Sequence, residues 1–267
     1  MQFGEATSRE DISTPMKMTA IRKASLSIGL YRQARIIYRL LSRSEMDEYK
    51  TDRKFYSQLL PKSGVLCFDV GANLGRVTEA LLELGHKVIA FEPQPQCVRE
   101  IKARCSPYKH HLQIEETALG DTPGAATLFV REGSGQSSLK STWEGRATGT
   151  LQVPVLTLDM AIQRFGIPHY CKIDVEGWEL QVLLGLSQPI PLLSFEYHQN
   201  DGMMQDAYAC LDHLHSLARI NVNVTPREQS QLVLDEWLDV DEFKAAFKTK
   251  FHGREQFLYG DLYVRML

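Results

Sequence analysis

The six residues Val65-Leu66-Cys67-Phe68-Asp69-Val70 run into a glycine turn and then straight into a helical pattern. That junction constrains the fold more than any other feature of the chain. A continuous apolar run closed by glycine suits a strand covered on both faces, and such strands occur almost only in parallel sheets flanked by helices. The grammar then repeats. Residues 74–84 have helical spacing with Gly85 placed to end them, 87–91 read as a second buried strand, 94–104 as a helix and 112–118 as a third strand. This βαβαβ order implies a doubly wound α/β sheet with right-handed crossovers.

The middle is less regular. Residues 125–131 read as an extra strand, and 132–149 are rich in Gly, Ser and Thr. So long a stretch without clear structure suggests a mobile or functional loop. Strand character returns at 153–157 and a short helix at 158–165, followed by a buried strand at 170–175 and its helix at 176–186. A strand at 192–197 runs into His198-Gln199-Asn200-Asp201-Gly202. The pattern closes with a helix (205–217), a strand (220–224), a helix (240–248) and an alternating strand (259–266).

This places the main domain at 62–267. Ahead of it, residues 1–15 lack apolar periodicity and are expected to be disordered. Residues 16–61 form a helical extension in which Leu30, Ile36, Ile37, Leu40 and Leu41 share a face, with Arg32, Arg35, Arg39 and Arg43 on or beside the opposite one. Two readings stay open: a cap packed on the main domain, or a basic amphipathic helix in peripheral contact with a membrane or an acidic partner. The apolar run after Lys17, Arg22 and Lys23 is short and broken by serines, and no stretch reaches the length of a membrane span.

Composition narrows the function classes. A net charge of −3 gives no overall pull toward nucleic acid, and no interleaved basic and aromatic surface points to RNA or DNA. Five cysteines without a C-x-x-C pair argue against a disulfide framework or structural zinc. Cys67 and Cys171 lie inside apolar strands as small hydrophobes, so a reducing, cytoplasmic setting is expected.

The turn carries the chemistry. Asp69-Val70-Gly71-Ala72-Asn73-Leu74-Gly75 joins strand to helix, where glycines let the backbone approach a ligand and free N–H groups face it. About twenty residues on, Glu92 ends the second strand, where a carboxylate can accept from both hydroxyls of a ribose. A dinucleotide site wants glycine in the middle place to clear a pyrophosphate. Asn73 stands there instead, and Asp69 would repel a diphosphate but suits the ammonium of an amino acid tail. The cofactor expected is S-adenosylmethionine, bound through Asp69, Gly71, Asn73 and Gly75 at the methionine end and Glu92 at the ribose.

Together with Ala90-Phe91-Glu92-Pro93, that turn resembles the first two motifs of the FkbM-type methyltransferase family. Ala118-Leu119-Gly120-Asp121 resembles the motif after its third strand, and Lys172-Ile173-Asp174-Val175-Glu176-Gly177 with Glu179 resembles its K-x-D-x-E-G-x-E motif. The likeness covers about 64–197, half the chain. It implies a class I methyltransferase sheet of seven strands with the last antiparallel, S-adenosylmethionine as donor, a hydroxyl acceptor on a sugar or natural product, and Asp121 or its neighbours near the adenine.

A second constellation gathers at the exit of the 170–175 strand. Ligands in open α/β sheets bind outside the carboxyl ends of strands, so Asp174 should face the cofactor crevice as base or substrate clamp. His198, after the next strand, is the second candidate base, and Lys172 is either catalytic or a buried partner of Asp174. Glu176 is a substrate contact or a helix-dipole charge, and Glu179 is expected to be only the latter. Ser137-Ser138-Leu139 is a candidate substrate lid, and Trp143 and Trp178 stack on a sugar or pack in the core. Asp174, Glu176, Glu196 and His198 could ligate a divalent metal, but their spacing is generic and none is expected. The function expected is O-methylation of a hydroxyl on a sugar, glycolipid or secondary metabolite. The rivals are a nicotinamide-dependent oxidoreductase and a non-catalytic interaction module.

Overall fold

The computed structural model describes residues 43–132, 134–143, 145–199, 203–226 and 229–267. The expectations for 1–42, membrane contact included, lie outside the described residues. Asp47–Leu267 forms one compact unit. Its elements in order are α1 (Arg43–Leu59), β1 (Leu66–Val70), α2 (Arg76–Glu83), β2 (Lys87–Phe91), α3 (Pro95–Arg104), β3 (Leu112–Glu115), β4 (Ala118–Leu119) and β5 (Gly124–Arg131). There follow β6 (Ala147–Leu156), α4 (Leu158–Phe165), β7 (Tyr170–Ile173), α5 (Glu179–Leu184), β8 (Leu192–His198), α6 (Met203–Leu217), β9 (Ile220–Pro226), β10 (Leu238–Asp239), α7 (Val240–Ala246) and β11 (Tyr259–Met266).

The main sheet runs β10-β9-β11-β8-β7-β1-β2-β3. Strands β3, β2, β1, β7 and β8 are parallel, while β11 runs antiparallel to both its neighbours. The arrangement is thus a doubly wound class I methyltransferase sheet, with one addition. Two-residue β10 extends the edge as an eighth strand, too short to leave a period in the sequence.

Alternation along each strand splits the core in two. Phe68, Val70, Ile89, Phe91, Cys171 and Ile173 face α4 to α7 on one side of the sheet. Cys67, Val88, Ala90 and Tyr170 face α2, α3 and the end of α1 on the other. Each large side chain so buried is worth roughly 1.5–3 kcal/mol. Helix starts are local. Thr157 caps α4 by accepting from the Met160 N–H at 3.2 Å, and Asp239 caps α7 by accepting from Glu242 at 2.9 Å.

The stretch 112–118 is not one strand. After β3 the chain leaves the main sheet, and β4 joins a small second sheet of order β4-β6-β5. Thr117 makes the switch, its hydroxyl donating to the Pro154 carbonyl at 2.9 Å.

Candidate active site

The carboxyl ends of β1, β2 and β7 open onto a cavity of about 620 Å³, mouth included. Gly71 begins its floor with φ +79°, and the amides of Gly71 and Ala72 donate to the Phe91 carbonyl at 3.0 and 3.1 Å. A Cβ at Gly71 would overlap the Asp174 carbonyl oxygen, so the turn and the end of β7 meet backbone to backbone. Asn73 follows with φ +47°, a conformation that costs a non-glycine residue roughly 1–3 kcal/mol. Glu92 holds it in place. One carboxylate oxygen accepts from the Asn73 N–H and the other from the Gln94 N–H, both at 2.8 Å. Glu92 is only 3% exposed, and burial lifts its carboxyl to about 7 in spite of those bonds. Each oxygen of a carboxylate has two lone pairs, so Glu92 can tie the two turns together and still accept from two vicinal hydroxyls.

Of the residues expected at the cofactor, Gly71, Asn73 and Glu92 line the cavity, and Asp69, Gly75 and Asp121 do not. Asp69 alternates with Phe68 and Val70, which turns it toward α2, where Thr78 Oγ1 donates to it at 2.5 Å. It anchors that helix to the sheet. Burial raises its carboxyl while Lys172 and Thr78 hold it down. Gly75 caps α2 with its α-carbon against Ile101, and Asp121 is exposed beyond β4. The adjoining Leu119 points inward and forms an apolar slot with Phe91 and Leu128. Trp178 lines the same cavity, and its buried indole N–H has no hydrogen-bond partner among the described residues.

This wall fits an adenosine: a slot for a flat base, an N–H needing an acceptor, and spare lone pairs on Glu92. None of the described lining residues is Lys, Arg or His, whereas Glu92, Asp174 and Glu176 are all present. A pyrophosphate would find no counter-charge there, whereas a sulfonium or ammonium would meet carboxyl groups and no competing cation on the lining.

Asp174 and Glu176 stand at the other end of the cavity. The Lys172 ammonium donates to Asp174 Oδ2 at 2.6 Å. Burial alone would lower the lysine's pKa, but the carboxylates of Asp174, Asp261 and Asp69 outweigh it and raise it. Lys172 is therefore a fixed cation, unsuited to act as a base. Glu176 has φ +58° and is gripped from the 132–149 segment, with Trp143 Nε1 donating to its carboxylate at 3.1 Å and Ser138 Oγ to its carbonyl at 2.7 Å. Burial, then Asp174, Glu196 and Glu179, push its carboxyl to about 9, so it holds its proton at neutral pH. Glu179 accepts from the Val175 and Gly177 N–H groups at 3.0 and 3.2 Å and thereby shapes the turn carrying both site carboxyls.

His198 does not line this cavity. It lines an adjacent open hollow of about 300 Å³, solvent at its mouth included, pairs with Glu196 at 3.2 Å and stacks on Tyr259 with ring centroids 5.6 Å apart. Oxygens of Asp174, Glu176 and Glu196 lie within 4.8 Å of one another, close enough to hold a metal ion, with His198 outside the group. Lys172 already supplies a positive charge to Asp174.

The described residues of the 132–149 segment are more ordered than expected. Arg131 is 4% exposed, and its guanidinium donates to the carbonyls of Phe129, Lys140, Ser141, Trp143 and Gly145. Ser137 Oγ donates to Gln94 Oε1 at 3.2 Å, and Ser138 pairs backbone to backbone with Phe129. Both serines line the cofactor cavity. An arginine at a strand end carries no sequence sign that it will be buried among carbonyls.

The family model described as the methyltransferase FkbM domain matches residues 69–227. The chain belongs to the FkbM methyltransferase family. An S-adenosylmethionine-dependent methyltransferase is what that membership and the cavity's chemistry describe. Comparison with curated protein sequences gave no match. Solved structures similar to this FkbM-family chain include a precorrin-6y C5,15-methyltransferase from Geobacter metallireducens, at 10% identity and a TM-score of 0.43, covering 80% of this chain and 85% of that one. An rRNA methylase from Streptococcus thermophilus is similar at 12% identity and a TM-score of 0.42, over 81% and 94%. Among the described residues no helix is long and apolar enough to cross a membrane.

Proposed function

We propose that this FkbM-family enzyme methylates a hydroxyl oxygen of a sugar, glycolipid or other secondary metabolite. The observation that carries the reading is the cavity itself: an adenosine-shaped wall without a cation, ending at a lysine-fixed carboxylate, Asp174. S-adenosylmethionine supplies a methyl group that is already activated, so the protein has to align the acceptor and remove its proton. Asp174 accepts that proton through the oxygen not bonded to Lys172. Lys172 keeps the carboxylate aimed and charged, and protonated Glu176 donates a hydrogen bond to the acceptor. His198, paired with Glu196, is the alternative base. Motifs that favour amino acceptors pair Asn or Asp with a Pro-Pro-aromatic segment, and Ser194-Phe195-Glu196-Tyr197 on β8 is not of that kind.

The five cysteines are all buried and none is joined to another in a disulfide, which suits a reducing compartment such as the cytoplasm. Calorimetric titration with S-adenosylhomocysteine, with NAD in parallel, tests the cofactor assignment. Micromolar binding of the first alone is expected. Binding of NAD alone would overturn the reading in favour of an oxidoreductase, and binding of neither would leave an interaction module.

A further inference from the structure

The hollow that holds His198 shares a wall with the cofactor cavity. Trp143 and Gly177 line it on one side of that wall, while Glu176 and Ser138 line the cofactor cavity on the other. The two spaces meet at carboxylates, since Asp174 and Glu176 belong to the cavity, Glu196 to the hollow, and their oxygens lie within 4.8 Å of one another. A group seated in the hollow beside Glu196 would thus lie within reach of Asp174 and Glu176.

The lining has a definite chemistry. Trp143 and His198 meet edge to face with centroids 5.1 Å apart, and Met203 adds an apolar patch from α6. No Lys or Arg is among the described lining residues, whereas Glu196 and Asp206 are. The nearest loop cation, Lys140, is paired with Asp206 at 3.3 Å. Tyr197 also lines the hollow, is 1% exposed, and its hydroxyl has no hydrogen-bond partner among the described residues. A buried phenol in that condition is costly unless something bonds to it, and a ligand hydroxyl can.

We infer that this hollow is the acceptor subsite, and that it takes an uncharged polyhydroxyl ring or one bearing an amine, while turning away rings that carry a carboxylate or phosphate. The proposal rests on the methyltransferase reading above. Carboxyl groups bond ring hydroxyls, Asp206 attracts an ammonium, aromatic edges and a methionine cover the apolar face of a ring, and an added anion meets no Lys or Arg among the described lining residues.

The test uses the full chain saturated with S-adenosylhomocysteine, whose own binding is measured first. Nuclear magnetic resonance follows the Trp143 indole N–H and the Met203 methyl, assigned with Trp143→Phe and Met203→Leu, during titration with four glycosides: methyl glucoside, its 2-amino analogue, methyl glucuronoside and glucose 6-phosphate. The neutral and amino compounds should shift both probes along saturable curves, with the two anions binding roughly tenfold more weakly or worse. Asp206→Asn, which removes a carboxylate from the lining, should narrow the gap between amino and anionic ligands. Anions binding as well as the others, or no response of either probe to any compound, would overturn the proposal. If S-adenosylhomocysteine itself fails to bind, the cofactor reading falls first, and the acceptor assignment falls with it.

Discussion

Glu92 gives the sharpest quantitative test, because it is asked to do two things at different pH. Its carboxyl sits near 7 in the folded protein against an ordinary 4.5. A raised carboxylic acid favours the fold while it is protonated and costs stability as it ionises. The difference of 7 − 4.5 = 2.5 units, at 1.36 kcal/mol each, therefore removes about 3 kcal/mol of stability as pH rises from about 4.5 through about 7. Glu92→Gln cannot ionise and escapes that loss. It does turn an NH₂ toward the Asn73 or Gln94 amide, at a cost of roughly 1–3 kcal/mol at every pH. The ligand-free variant should thus be less stable than wild type near about pH 5, and equal to it or more stable near about pH 8. Urea unfolding at both values, each protein against itself, isolates this one group, since the other buried acids are common to both. Affinity for S-adenosylhomocysteine should fall in the variant, because two hydrogen bonds to a charged carboxylate, worth roughly 1.5–3 kcal/mol each, weaken together. A stability difference that does not change with pH would refute the burial argument, and unchanged cofactor affinity with an intact fold would remove Glu92 from the ribose.

Other consequences are simpler to state. Gly71→Ala should abolish cofactor binding or folding, since its Cβ meets the Asp174 carbonyl and its φ is +79°; calorimetry with circular dichroism as the folding control decides. Asp174→Asn should leave S-adenosylhomocysteine affinity nearly unchanged while slowing methyl transfer roughly 10²–10⁴-fold, as loss of a positioned base does; wild-type rates would exclude it as the base. Lys172→Met leaves Asp69, Asp174 and Asp261 without their buried cation and should destabilise the fold by roughly 3–5 kcal/mol, less in acid, where these groups take up protons; a urea midpoint unchanged at neutral pH would deny the lysine its role. Arg131→Gln should release the 132–149 segment, seen as new proteolytic cleavage there and a melting temperature lower by several degrees, at roughly 2–4 °C per kcal/mol. Cleavage and melting like wild type would show that the carbonyls around Arg131 do not depend on it.

What the sequence determined by itself is the framework and its cofactor corner. Buried parallel strands are continuous apolar runs, and their ends are punctuated by glycine, so β2, α4 and β11 could be read to the residue and the turn at Gly71 was recognisable from its neighbours alone. Glu92 was legible for the same reason, being a carboxylate at a fixed distance along the chain from that turn. Tertiary structure decided which way side chains face once two covered faces exist. Alternation separates Asp69 from Val70, but only the packing of α2 shows that Asp69 lies on the face away from the cavity, held by Thr78. Likewise, only the second sheet, reached through Thr117, leaves Asp121 in solvent and brings Leu119 inward. The 132–149 segment is the clearest case. Its composition reads as loose because nothing local binds it, and its order comes from one buried arginine gathering five carbonyls and from Trp143 lying over Gly177 to hold Glu176. Contacts between residues distant in the chain carry no period and no punctuation, so they become visible only when the chain is folded.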